Sequence, residues 1–219
     1  MNFHNYPDKA DTFFASRIEA AQLLARRLED YRGQNPLVLG IPRGAVPMAQ
    51  VIAESLEGEL DVVLVHKLGA PYQEEFAIGS VSERGDVHLS EEVVLYGIEK
   101  SYINREVARQ LDVLRRRRAA YTPVRPPISP TGRIVIVVDN GVATGWTMIA
   151  ALRSIRPQKP AKLIAARAVA TMNQEADEVV CLATSAGFYA VGQFFADFSQ
   201  VTDEEVTEIL ARTLSAKGK

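Results

Sequence analysis

Cysteine is almost missing. Cys181 stands alone in 219 residues, so no internal disulfide can form, and its place in an expected strand fits a small core side chain rather than a reactive thiol. Histidine is scarce as well: His4, His66 and His88 show no ligand spacing, which argues against a histidine metal centre. Long hydrophobic runs are lacking. The longest aliphatic stretch, 134–138, is far short of the ~20 residues that cross a bilayer, so no membrane span is expected. Residues 1–11 carry His4, Asp8, Lys9 and Asp11 without the apolar stretch of a secretory signal, and a cytoplasmic location is the expectation. Charge of one sign is not in excess: 25 Lys plus Arg face 27 Asp plus Glu, so nucleic acid is not an expected partner and any bound polyanion should be small. Internal repeats and low-complexity tracts are absent. With 47% hydrophobic and 24% charged residues, the chain reads as one soluble globular domain, and its length lets it bury roughly 70% of its unfolded surface without a staple.

What is present alternates between two periodicities. Phe14, Ile18, Ala21, Ala25 and Leu28 take the spacing of one helix face, with Arg17, Arg26 and Arg27 elsewhere on the surface. The run 37–41 reads as a strand closed by Pro42-Arg43-Gly44, after which Val46, Ala49, Ile52, Ala53 and Leu56 return to helical spacing. A second apolar strand is expected at 61–66, giving a β-α-β unit. Segment 69–130 differs, being polar, rich in Glu and closed by Pro123, Pro126, Pro127 and Pro130; it reads as an insertion, with a helix at 101–121 apolar on one narrow stripe. The core resumes at 133–139 with a nearly all-aliphatic strand of the kind buried on both faces of a parallel sheet. Met148, Ile149, Leu152 and Ile155 mark the next helix face, 163–169 and 179–182 two further strands, and Thr202-Asp203-Glu204-Glu205 the capping box of a last helix. The expected fold class is α/β, an open, mainly parallel sheet flanked by helices, in a single domain over 1–219 with a flap or hood at 69–130. Ligands of such sheets lie at the carboxyl ends of the strands.

The most informative segment is 134–147, where a buried strand ends in Asp139 and a loop of small residues opens a helix. Backbone N–H groups of such a loop, with the positive end of the helix, wrap a phosphate, and the hydroxyls of Thr144 and Thr147 add donors. Asp139 at the strand tip is placed to accept sugar hydroxyls. Neither a Gly-Lys-Ser/Thr nor a Gly-x-Gly-x-x-Gly pattern is present, which removes the P-loop and dinucleotide readings.

At these residues the sequence resembles the type I phosphoribosyltransferases, whose signature is a hydrophobic strand, two acidic residues, three small or apolar residues and Thr-Gly-x-Thr. Gly40-Ile41-Pro42-Arg43-Gly44 resembles that family's pyrophosphate loop, and Lys67-Leu68-Gly69-Ala70-Pro71 takes the next strand end. The likeness is nearest to a bacterial group known by its family name alone. It implies transfer of ribose 5-phosphate from phosphoribosyl pyrophosphate to a small nitrogenous base, with Mg²⁺ as cofactor and a homodimer as the assembly. It also implies that Ala143, Thr144, Gly145, Trp146 and Thr147 hold the 5-phosphate. Asp139 and Asn140 would face the ribose as the catalytic pair, Asp139 touching the metal indirectly, and Arg43, Gly44 and Lys67 would meet the pyrophosphate. Two departures stand out. Asn140 replaces the second acid, removing a negative charge near the ribose, and Ala143 replaces an Asp that handles a purine proton in the hypoxanthine-guanine enzymes, which takes support from a 6-oxopurine acceptor.

Several features carry a plainer reading beside the functional one. The stretch 104–125 holds seven arginines against Glu106 and Asp112: a solvated face paired with acids, or a lid in which Arg105, Arg116 and Arg117 close over a polyphosphate. Trp146 either stacks on an acceptor ring or packs beside the loop. A non-catalytic phosphoribosyl-ligand regulator, favoured by Asn140, is the rival to an enzyme, and an RNA-binding role for 115–118 is a weaker third.

Overall fold

Ser16 starts the first helix: its hydroxyl accepts the Glu19 N–H, while the Glu19 carboxylate accepts that of Ala15, a reciprocal cap. The helix, α1 (Arg17–Arg27), turns Ala20, Ala21, Leu24 and Ala25 inward. This is a computed structural model, and it describes residues 14–140, 145–169, 175–183 and 191–216. Strand β1 (Leu37–Gly40), helix α2 (Val46–Ser55) and strand β2 (Glu59–Val62) form the first parallel unit. Beyond it come β3 (Val65–Ala70), β4 (Gln73–Ser82), β5 (Val87–Leu89), α3 (Glu92–Leu95) and α4 (Lys100–Tyr121). The core returns with β6 (Ile134–Asp139), α5 (Trp146–Ile155), β7 (Lys162–Val169) and β8 (Glu178–Ala183), and α6 (Asp203–Ala216) follows.

Five strands in the order β2-β1-β6-β7-β8, all neighbours parallel, make the central sheet. Strand alternation divides its side chains between two cores. Val38, Ile136, Val138, Ile164 and Ala166 pack with α1, α2 and α6 on one face, while Leu37, Leu39, Val135, Val137, Leu163 and Ala165 pack with α5 on the other. Each fully buried Val, Leu or Ile there contributes about 1.5–3 kcal/mol of transfer free energy. Coverage of both faces is the reason these strands read as unbroken apolar runs. The expected α/β class, a parallel sheet flanked by helices, is what the chain forms.

The expected strand 61–66 is corrected. β2 ends at Val62, and Val65 already belongs to a second sheet, antiparallel, in the order β3-β4-β5. Val63, Leu64 and Val65 are buried on both sides of this exit, so their hydrophobicity does not mark it. The change of architecture therefore starts before Gly69, and the Glu-rich stretch after it forms β4, which buries Ile78 and Val81 against α4 and the core. The capping box of α6 forms as read: the Thr202 N–H donates to Glu205 Oε2 at 2.7 Å and the Glu205 N–H to Thr202 Oγ1 at 3.1 Å.

Candidate functional site

Two loops meet at the carboxyl edge of the central sheet. β1 runs through Ile41 into Pro42, Arg43, Gly44 and Ala45 before α2 begins, and the Pro42–Arg43 peptide is cis. β6 ends at Asp139, followed by Asn140. The Ile41 N–H donates to the Val138 carbonyl at 3.0 Å, which sets the two exits side by side. A Cβ added to Gly44 would fall 2.4 Å from Asn140 Nδ2, so only glycine lets the loop approach the Asn140 side chain this closely. The sequence-assigned pairs Arg43 with Gly44 and Asp139 with Asn140 are thus brought together. Asp139 is 7% exposed and stands in register with Arg167 of β7, which is wholly buried.

Gly145 caps α5 with φ +81°, a left-handed conformation that glycine adopts without strain. Trp146 and Thr147, both half-buried, form the first turn. Among the described residues the first bond at this helix start runs from the Ile149 N–H to the Gly145 carbonyl at 2.9 Å, and the N–H groups ahead of it belong to the first turn, where a helix offers no acceptors of its own. Such a terminus is suited to an anion. Ala143 and Thr144 lie outside the described residues.

Sequence reasoning missed two residues that reach the Arg43–Gly44 loop, Asp203 and Arg17. Asp203, read only as part of a cap, accepts a hydrogen bond from the Tyr121 hydroxyl and lies 3.4 Å from Arg117 Nε and 3.8 Å from an Arg43 nitrogen. Burial first, then the Asp203 carboxylate, push the Tyr121 phenol upward, so it stays a donor. Arg17, read as a surface residue, stacks its guanidinium 3.8 Å from the Phe198 ring centroid and donates to the Ser199 carbonyl at 2.7 Å, with Nε 3.6 Å from where a Gly44 Cβ would stand. These contacts join segments up to 182 residues apart, and no local spacing announces them.

Residues 11–187 match the model of the phosphoribosyl transferase domain. The chain belongs to this family. It is 41% identical over 206 residues to two Mycobacterium tuberculosis proteins (strains CDC 1551 and H37Rv) provisionally named phosphoribosyl transferases; the match covers 91% of the chain but 46% of each relative, so the chain spans about half their length. The crystal structure of TT1426 from Thermus thermophilus is 44% identical and superposes with a TM-score of 0.75, covering 91% of this chain and 98% of that one. A hypothetical protein from Neisseria gonorrhoeae, crystallised with bound ppGpp, shares the fold at 12% identity and TM-score 0.50, covering 97% and 100% of the two chains.

Within this phosphoribosyl transferase domain Lys67 differs from its expected place. It lies inside β3, opposite Ser80 in the antiparallel ladder, rather than at the end of a core strand. The arginine-rich helix is largely paired with acids. Arg118 makes two hydrogen bonds to Glu83 at 2.7 and 2.6 Å, Arg109 two to Glu106, and Arg116 one ion pair to Asp112 at 2.9 Å. At Glu106 burial opposes ionisation, but hydrogen bonds from Arg109 and Gln110 prevail and hold the carboxyl below its usual range. Of the three lid candidates, Arg116 faces solvent, Arg117 reaches Asp203, and Arg105 edges a hollow of about 740 Å³ that Tyr72, Phe76, Tyr96 and Tyr102 line.

Among the described residues no three His, Cys, Asp or Glu side chains converge as a metal cage. Mg²⁺ does not require one, because it keeps waters and binds substrate phosphates with one or two carboxylates. The Asp139 carboxylate at the tip of β6 fits that arrangement.

Proposed function

We propose that the domain transfers ribose 5-phosphate from phosphoribosyl pyrophosphate to a nitrogen nucleophile, with pyrophosphate leaving. The observation that carries this reading is the close approach of Gly44 to Asn140, which supports pairing a loop of pyrophosphate type with a strand tip of ribose type. Thr147, Thr144 and the backbone of the α5 start would fix the 5-phosphate. Asp139 would orient the ribose hydroxyls and stabilise the cationic, oxocarbenium-like sugar, while the backbone of Arg43 and Gly44 would receive the departing anion. Mg²⁺, held by Asp139 and the phosphates, would supply further charge neutralisation of the leaving group. Binding the ligand at both phosphates holds the sugar in place, so the protein's contribution is positional and electrostatic rather than covalent.

A second reading, a non-catalytic sensor of phosphoribosyl or pyrophosphorylated nucleotides, is favoured by Asn140. Isothermal titration with phosphoribosyl pyrophosphate and Mg²⁺, and with ppGpp, should be followed by a pyrophosphate-release screen over nitrogenous bases. Binding with release supports the transferase; tight binding without release for any base favours the sensor; no binding of either ligand overturns both.

A further inference from the structure

We propose that Arg17, from the first turn of α1, is an anion-binding residue of the Arg43–Gly44 loop, and that Asn140 keeps it available for the pyrophosphate group of the ligand. The inference rests on the reading of that loop as a pyrophosphate site. Arg17 Nε is enclosed by protein and has no hydrogen-bond partner among the described residues. A buried N–H left in this state is costly and calls for an acceptor. The guanidinium is held in place, since one terminal nitrogen donates to the Ser199 carbonyl and the plane rests on Phe198. The group is therefore fixed in position with its enclosed Nε–H unsatisfied among the described residues.

The surroundings specify the acceptor. The space where a Gly44 Cβ would stand lies 3.6 Å from Arg17 Nε and 2.4 Å from Asn140 Nδ2, so an uncharged and a charged donor flank the same face of the loop with no side chain between them. Two converging donors, one of them cationic, beside the backbone N–H groups of a glycine loop suit an anionic oxygen, and a planar guanidinium matches phosphate geometry.

This arrangement also accounts for the departure at position 140. A carboxylate there would face Arg17 across Gly44, satisfy its donor, cancel its charge and repel an incoming phosphate. Asn140→Asp, although it restores the acid of the family signature, should weaken the binding of pyrophosphate.

The test is calorimetric titration of the full chain with inorganic pyrophosphate and, separately, with ribose 5-phosphate, at constant Mg²⁺. Arg17→Lys keeps a cation but loses the Nε–H; pyrophosphate should bind about tenfold more weakly, and ribose 5-phosphate as in the wild type. Asn140→Asp should weaken pyrophosphate by a similar factor, and adding Arg17→Lys to it should cost little more, because the ion pair has already removed the site. A purely structural Arg17 would lower the melting temperature and reduce both affinities together. That result, or unchanged pyrophosphate affinity in Arg17→Lys, or tighter pyrophosphate binding by Asn140→Asp, overturns the proposal. A wild-type protein that binds ribose 5-phosphate but no pyrophosphate sinks this inference alone; one that binds neither sinks the transferase reading with it.

Discussion

Under the proposed function, Gly145 and Thr147 would couple backbone conformation to ligand binding. Gly145 has φ +81°, where a Cβ crowds the backbone, so Gly145→Ala should destabilise the domain by about 1–2 kcal/mol, read as a lower urea midpoint with unchanged slope. Because the same residue caps α5, the substitution should also weaken ribose 5-phosphate binding; a variant that loses stability but keeps full affinity would remove the loop from the phosphate site. In the proposed site Thr147 would add its hydroxyl to the backbone donors of the helix start. Replacing Thr144 and Thr147 together by Ala should remove charge-assisted hydrogen bonds of roughly 1.5–3 kcal/mol each, and calorimetry showing wild-type affinity for ribose 5-phosphate would refute the assignment. Arg17 and Asn140 extend the same logic to the neighbouring loop. There the sign of a charge change depends on which group faces it, which a motif comparison alone does not supply.

α4 is the element whose composition misleads most. Its arginines form pairs of unequal worth. Glu83 and Arg118 have side chains 27% and 19% exposed and share two hydrogen bonds, so Glu83→Gln should cost about 1–3 kcal/mol by leaving the guanidinium poorly matched. Asp112 and Arg116 are 63% and 72% exposed, and Asp112→Asn should change stability by less than about 0.5 kcal/mol. Equal effects in urea titrations of the two variants would contradict this division. The helix itself was legible, since Ile103 and Leu114 lie on its buried stripe and the expected 101–121 differs from Lys100–Tyr121 by one residue. Its partners were not legible, because Glu83 and Asp203 come from distant elements and pair through tertiary folding. The same contrast holds elsewhere. The aliphatic run of β6 and the Gly-bounded loop after β1 carry local signals strong enough to place the core and the crevice. The passage from β2 to β3 carries none, as Val63, Leu64 and Val65 are equally buried whichever sheet they join.

Across the whole molecule these groups set how stability responds to pH. Burial, foremost, pulls His66 and His88 below the usual 6.5, so the folded protein resists charging them. The unfolded chain then binds more protons between the folded values and 6.5, and stability must fall as pH drops through that window. Lower still, Glu175 and Asp177 act in the same direction. Hydrogen bonds from Arg153 and Arg156 respectively hold them below their ordinary values of 4.5 and 3.8, a contribution present at neutral pH and lost as they protonate. Asp61 opposes them. Burial raises its carboxyl above 3.8 despite bonds from the Val62 and Ile128 N–H groups, so its penalty is fully present above its folded value and relieved on acidification. Glu106, held low by Arg109 and Gln110, acts with Glu175 and Asp177, and with most of these shifts pointing the same way the urea midpoint should decline from about pH 7 to pH 4. The histidine share is separable: in a His66→Gln, His88→Gln double variant the decline should begin only below about pH 5, where the carboxylates titrate. A double variant that keeps the wild-type profile between about pH 7 and 5.5 would show that the histidines titrate alike in the folded and unfolded states and that the acid response belongs to the carboxylates alone.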